Sequence, residues 1–202
     1  GPATIAISQD VQGESFNYPE AFFEERIHEI RRIHPDPNQV KVAADKLKNS
    51  KQPIIISGGG VLYSEAEKEL SNFSKKHNIP VTATAMGIGC MAKDDPYYIG
   101  GIGGLGEKSA NNLSKETDLA LAIGTKLADF TTGSWANFES DNFQLVSLNV
   151  ARFDTAKHLA TPIVSDAKIG LQQLSEALGD WKAPDNWYQK AIKERAEWDA
   201  HV

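Results

Sequence analysis

The sequence predicts an α/β fold: a doubly wound parallel sheet with helices on both faces. Three features predict it. Short runs that are apolar throughout, such as Pro53-Ile-Ile-Ile-Ser57 and Leu119-Ala-Leu-Ala-Ile123, read as strands buried on both sides. Stretches with apolar residues three and four apart alternate with those runs and read as helices. A glycine-rich turn, Gly58-Gly59-Gly60, leads from the first apolar run into a helix. Strands alternating with helices build a parallel sheet covered on both faces.

The elements run in this order. Ala3-Thr-Ile-Ala-Ile7 reads as a short strand. The stretch from Gln9 to Ile33 is polar and dotted with aromatics, and it is long for a connection inside a compact domain. It reads as a crossing between domains, closed by His34-Pro35-Asp36-Pro37. Asp36 then caps a helix, with Pro37 at its first position and Gln39 at the capping-box position. Val40, Ala43, Ala44 and Leu47 form that helix's apolar stripe. After the first strand and its glycines, Ser64-Glu-Ala-Glu67 reads as a second capping box, and Ala66, Leu70, Phe73 and His77 share one helix face.

Pro80–Ala85 is the second strand, followed by a glycine-rich loop and a short helix near Ser109–Lys115. Asp118–Gly124 is the third strand, Phe143–Val150 the fourth, and Pro162–Ser165 a short edge strand. Asp166 caps a helix with Leu171, Leu174, Ala177 and Leu178 inward. Trp181 to Val202 is a helical tail carrying Trp187 and Trp198. The α/β domain is placed at residues 38–180, with extensions at 1–37 and 181–202.

Composition narrows the function classes. At 202 residues and 41% hydrophobic, the chain suffices for one sizeable core plus extensions. A net charge of −6 argues against a nucleic-acid partner, because phosphate binding needs a basic patch. Cys90 is the single cysteine, so it has neither a disulfide mate nor a metal-binding companion, and a reducing, cytoplasmic setting is expected. The five histidines show no metal-ligand spacing, and His77 reads as a packed residue. No apolar stretch approaches about 18 residues, so no membrane partner is expected, and no signal peptide is read.

Three motifs compete for chemistry. Ser57-Gly58-Gly59-Gly60 follows a strand and precedes a helix, which suits either backbone N–H groups approaching a phosphate or a tight turn with no ligand. Gly101-Ile-Gly103-Gly104-Leu-Gly106 fits the dinucleotide fingerprint, but Asp94-Asp95-Pro96-Tyr97-Tyr98 before it reads as a turn rather than the required strand. It is read as a packed or flexible loop. The segment from Gly124 to Trp135 follows the third strand, at the sheet end where such folds bind ligands. It is either a binding loop rich in hydroxyls or a surface loop satisfying its own backbone.

Residues 53–60, 80–89, 99–113 and 118–135, in this order, resemble the central domain of thiamine-diphosphate (ThDP) enzymes, the decarboxylases and acetolactate synthases among them. The opening Gly1-Pro-Ala-Thr-Ile-Ala-Ile-Ser-Gln-Asp-Val11-Gln resembles the last strand of that family's pyrimidine-binding domain, with Ser8 where a proline is usual. Gln9–Pro19, Gly58–Ser64, Asp129–Trp135 and Asn149–Asp154 with Lys157-His158 are similar to the branch that hydrolyses trihydroxycyclohexane-1,2-dione in myo-inositol breakdown.

The resemblance implies a Rossmann-like central domain that holds neighbouring domains in register. It implies a parent that is a homo-oligomer, uses ThDP and Mg²⁺, and cleaves a carbon–carbon bond of a small cyclic polyol-dione. It also implies that the catalytic groups lie outside this chain, which is expected to be inactive by itself and to bind neither ThDP nor Mg²⁺. The family's G-D-G motif has no counterpart: Gly179-Asp180 is followed by Trp181. Rim candidates are Asp129, Thr131, Thr132 and Ser134, and cofactor-binding candidates are Gly58, Gly59, Gly60, Gly124 and Thr125. Some relatives bind FAD or ADP in this domain. Asn149 and Ala151 stand where those carry acids, which argues against a flavin. The remaining alternatives are a free-standing nucleotide-binding domain for FAD, ADP or NAD, and an acetolactate synthase-like fragment.

Overall fold

A computed structural model describes residues 3–202, and the chain divides into two compact units, one ending at Arg31 and the other beginning at Arg32. Gly1 and Pro2, which open the strand-like segment, lie outside the described residues.

The first unit buries none of its described residues. Residues 3–7 form no strand, and Ile5 is 83% exposed, because no second strand lies alongside to pair with. One helical turn follows, α1 (Gln9–Gln12), then a 3₁₀ turn at Glu20–Phe22. Tyr18 holds the centre of a small aromatic group, with ring centroids 5.3 Å from Phe16 and 4.8 Å from Phe22.

The second unit is the α/β domain. It opens with α2 (Pro37–Asn49), where Asp36 caps as expected, its carboxylate accepting from the Asn38 N–H at 2.7 Å, while Gln39 accepts from the Val164 N–H at 3.0 Å instead of completing a capping box. The chain continues through β1 (Pro53–Ser57), α3 (Gly59–Tyr63), α4 (Glu67–His77) and β2 (Val81–Ala83). Next come β3 (Tyr98–Gly101), α5 (Lys108–Glu116), β4 (Leu119–Ile123) and the single turn α6 (Asp129–Thr132). β5 (Gln144–Asn149), α7 (Arg152–Thr155), β6 (Thr161–Val164), α8 (Ala167–Leu178) and α9 (Asp185–Asp199) complete it. The six strands are all parallel, in the order β3-β2-β1-β4-β5-β6.

Side-chain alternation divides the core. Ile55 and Leu121 point to one face of the sheet, where Leu47 of α2, Phe73 of α4 and Leu174 of α8 meet them. Ile54, Ile56, Ala120 and Ala122 point to the other, against Leu113 of α5 and Trp187 and Ala191 of α9. Burying each isoleucine contributes about 1.5–3 kcal/mol, which is why these central strands carry no polar side chain until Ser57.

Four details differ from the sequence reading. The turn expected at residues 94–98 ends at Tyr97, and Tyr98–Gly101 then forms β3, a strand that the sequence reading did not include. It is short and lies at the sheet edge, so two glycines and a tyrosine suffice where a central strand needs branched apolar residues throughout. Ser64 does not cap α4: Ala66 holds that position, while the Ser64 hydroxyl accepts from the Ala167 N–H at 3.3 Å. Ala177 is exposed, and Gly170 takes the inward position, because the Leu148 side chain leaves no room for a Cβ there. The tail does not stand free of the domain: α9 packs on α5 and β3, and the Trp187 indole N–H donates to the Pro53 carbonyl at 2.8 Å.

Candidate functional site

The strand order reverses beside β1, which has β2 on one side and β4 on the other. Ligands of doubly wound sheets bind outside the carboxyl ends of the strands at that point. Gly58, Gly59, Gly60, Gly124 and Thr125 all lie there, so the fold gathers the cofactor candidates in one place.

Their backbone groups are engaged with each other. Gly58 N–H donates to the Ile123 carbonyl at 2.8 Å, and Gly60 N–H to the Gly124 carbonyl at 2.9 Å. A Cβ on Gly60 would lie 2.5 Å from the Gly124 Cα, and one on Gly58 2.5 Å from the Gly124 carbonyl oxygen. Gly87 closes the other side, where a Cβ would lie 2.2 Å from the Ser57 carbonyl oxygen. Glycine is required here so that three loops can touch backbone to backbone. Two of the N–H groups that a phosphate would need are thereby taken.

Asn149 ties the next pair of strand ends together. Its Nδ2 donates to the Thr125 carbonyl at 3.2 Å and its Oδ1 accepts from Ala151 N–H at 3.1 Å. An aspartate could accept but could not donate to Thr125, so this junction needs the amide.

The fingerprint-like loop does follow a strand, because the turn read at residues 94–98 gives way to β3 at Tyr98. Its donors are nonetheless engaged internally. Gly101 N–H donates to Glu107 Oε1 at 3.2 Å, Gly103 N–H to Asn111 Oδ1 at 3.0 Å, and Gly104 N–H to the Phe130 carbonyl at 2.9 Å. The Glu107 carboxylate occupies the place of an anion and is paired with Arg195 of α9 at 2.7 Å. A phosphate would meet a negative charge there.

The rim candidates come together on one loop. Asp129 opens α6 and is exposed, and among the described residues its carboxylate has no hydrogen-bond or ion-pair partner. Thr131 is half-buried and Ser134 exposed. Thr132 is buried and faces inward: its hydroxyl donates to the Asp129 carbonyl at 3.2 Å and accepts from Trp135 N–H at 3.3 Å. The loop is strained, since Leu127, Ser134 and Trp135 all hold positive φ, at 47°, 55° and 70°. Such conformations cost about 1–3 kcal/mol each and cluster at functional sites.

Exposed apolar side chains lie on this loop and on the neighbouring ones. Leu105 is 89% and Phe130 62% exposed, and the Phe130 ring lies against Gly104. Met86 and Tyr63, both exposed, flank Gly59 in the same way. Cys90 lies beneath, with its Sγ 2.8 Å from the Ser57 hydroxyl, and burial raises its thiol pKa. A protonated, enclosed thiol is no nucleophile.

ThDP and Mg²⁺ do not fit the residues present. Gly179 caps α8 and Asp180 is exposed, with Trp181 in place of a second glycine. Among the described residues no group of three His, Cys, Asp or Glu could hold a metal ion.

The sequence reading missed Asn111, Asn137 and Glu107, which hold these loops. Asn111 follows Gly103 by a little over two helical turns, a signal visible only once the loop is known to fold back on α5.

Comparison with known proteins agrees with the geometry. The chain is similar to proteins named 3D-(3,5/4)-trihydroxycyclohexane-1,2-dione hydrolase. It is 41% identical to that of Geobacillus thermodenitrificans over 90% of this chain and 28% of the relative. It is 42% identical to that of Halalkalibacterium halodurans over 91% of this chain and 29% of the relative. The Clostridium tetani protein is 38% identical over all of this chain and 31% of its own length. The chain thus spans under a third of the curated relatives it matches. Residues 40–174 match the family described as thiamine pyrophosphate enzyme, central domain, which covers β1 to β6 and most of α8. With a six-stranded parallel sheet of this order and a match over most of its length, the chain belongs to the thiamine pyrophosphate enzyme central domain family.

Proposed function

We propose that this domain serves in a ThDP-dependent hydrolase that opens the ring of a trihydroxycyclohexane-1,2-dione. Its own task is to hold neighbouring domains in register and to lend its carboxyl-end loops to the rim of their active site. The observation that carries the reading is the similarity, over nearly the whole chain, to hydrolases of that name. The geometry supports it. The switch-point crevice is packed with backbone, which suits a scaffold better than a nucleotide-binding domain. The exposed polar loop, with Phe130 on it and Leu105 on the neighbouring loop both exposed, suits a surface that meets another domain.

Within this proposal, Asp129, Thr131 and Ser134 face a polyhydroxylated substrate, and Thr132 holds the loop's shape. Gly58, Gly59, Gly60, Gly124 and Thr125 form the floor between rim loops rather than a phosphate cradle. Residues 1–37 and 181–202 are the joints to neighbouring domains. The first unit fits that role, since Phe16, Tyr18, Phe22 and Phe23 stay exposed without a partner surface. ThDP, Mg²⁺ and the carbon–carbon cleavage belong to those neighbouring domains. A cytoplasmic homo-oligomer completes the proposal, and the single buried cysteine fits a reducing compartment.

The test is turnover by the full-length polypeptide that carries this domain. ThDP- and Mg²⁺-dependent loss of the cyclic dione, with a ring-opened acid as product, is expected. Acetolactate formation from pyruvate, with no action on the dione, overturns the proposal.

A further inference from the structure

Two loops that the sequence reading treated separately share one side chain. Asn111, on the first turns of α5, pairs with both polar groups of Gly103: its Oδ1 accepts from Gly103 N–H and its Nδ2 donates to the Gly103 carbonyl, each at 3.0 Å. The same Oδ1 accepts from Asn137 Nδ2 at 3.2 Å. Asn137 is buried beneath the rim loop, where its N–H donates to the Thr132 carbonyl at 3.3 Å and its side-chain amide lies 3.5 Å from the Cβ position of Gly133. The orientation of the Asn111 amide is forced, because Gly103 N–H needs an acceptor and Gly103 C=O a donor.

A second bond joins the loops above this point. Gly104 N–H donates to the Phe130 carbonyl at 2.9 Å, and Gly103, at φ +116°, approaches so closely that a Cβ would lie 2.6 Å from that same oxygen. Loop 101–106 therefore rests on α6, and Asn111 with Asn137 forms the floor under both. Neither amide can turn away without leaving a half-buried polar group unpaired.

We propose that Asn111, acting through Gly103 and Asn137, is the positioning residue that fixes loops 101–106 and 129–135 as one rigid rim. It touches no substrate. Its effect on the reaction passes through the placement of Asp129, Thr131 and Ser134, so this inference rests on the rim reading given above.

The test uses two substitutions with different reach. Asn111→Asp keeps the acceptor for Gly103 N–H but sets a carboxylate against the Gly103 carbonyl. Asn137→Ala removes the Asn137–Asn111 bond and leaves both the Gly103 pair and the Gly104–Phe130 bond in place. Asn112→Ala is the control, since that neighbour bonds Glu194 on α9 instead. Hydrogen exchange on this chain reads the coupling. Both substitutions should speed exchange of Gly104 and of residues 131–135 together, while strands 54–57 and 119–123 keep their protection. In the full-length enzyme, kcat/KM for the cyclic dione should fall about tenfold with either substitution, and stay within about twofold in the control.

Loosening of one loop without the other overturns the coupling. Unchanged kinetics in both variants, with Asp129→Ala still impaired, overturns the positioning role while the rim reading stands. Unchanged kinetics in Asp129→Ala as well overturns both. If Asn111→Asp does not fold, Asn137→Ala carries the test alone.

Discussion

Gly60 and Gly124 meet backbone to backbone. The Gly60 N–H donates to the Gly124 carbonyl at 2.9 Å, and a Cβ on either residue would lie 2.5 Å from the other's Cα. The contact closes the crevice between β1 and β4, where a doubly wound sheet otherwise receives its ligand.

Gly60→Ala should destabilise the domain. Backbone atoms on both sides cannot give way as a flexible side chain could, so the cost should be at least the roughly 1–3 kcal/mol typical of overpacking. For a chain of this size each kcal/mol lowers Tm by about 2–4 °C. A melt by circular dichroism checks it, and an unchanged Tm would show that the two loops part easily.

The same closure predicts that FAD, ADP and NAD do not bind, and the missing G-D-G motif, with Trp181 after Gly179-Asp180, predicts that ThDP with Mg²⁺ does not bind either. Calorimetric titration of the chain at millimolar ligand should give no saturable heat. A yellow preparation with a flavin band would contradict this directly.

Asp129→Ala in the full-length enzyme should impair turnover more than folding. The side chain is exposed and unpartnered among the described residues, so its removal should change stability by no more than about 0.5 kcal/mol. If it holds a substrate hydroxyl, the lost bond corresponds to a roughly tenfold lower kcat/KM. A lowered Tm with intact kinetics would instead make it a local loop residue.

His77 gives the fold a pH dependence. It is fully buried, with Nδ1 2.8 Å from the Trp181 carbonyl and Nε2 2.9 Å from the Ser175 hydroxyl. Burial lowers its pKa, and Lys76 and Lys182 lower it further, against the opposing pull of the Trp181 carbonyl. The unfolded chain therefore binds the proton first as pH falls. The stabilisation by neutral His77 is complete above about pH 6.5 and is lost as pH drops below that value towards the folded pKa. Tm measured from about pH 7.5 to 5 should fall more steeply in the parent than in His77→Gln. Parallel curves would remove His77 as the source.

The C-terminal helix should behave as part of the domain. Trp187 is 2% exposed and Arg195 pairs with Glu107, so amides in 188–195 should exchange slowly, while those in 3–8 exchange fast. Trp187→Phe leaves the Pro53 carbonyl without its donor and should cost about 1–3 kcal/mol. Fast exchange throughout α9 would mean that it docks only transiently.

The sequence by itself determined the α/β class, the family, and most elements whose signal is local, though not the cap read at Ser64 or the strand read at residues 3–7. Asp36 and Asp166 cap the helices they were read to cap, because a cap depends on residues two and three positions away. Ile54–Ile56 and Leu119–Ile123 read as central strands, because a strand buried on both faces must be apolar throughout. His77 read as a packed residue for the same kind of reason, from its place on a helix face.

What only the tertiary structure decided depends on distant partners. β3 pairs with β2 along one edge, and no feature of Tyr98-Ile-Gly-Gly101 alone calls for a strand. The three consecutive glycines suit a phosphate or a close approach equally well, and Gly124, in a loop after a different strand, settles which donors are taken. The tail is helical in the sequence reading and over Asp185–Asp199 in the structure. Whether it packs on this sheet depends on the carbonyl of Pro53 and the carboxylate of Glu107. Asn111 is an ordinary helix residue until the chain folds back and sets Gly103 against it. Local sequence fixes the conformations a segment prefers, and long-range packing selects which backbone polar groups remain free for a ligand.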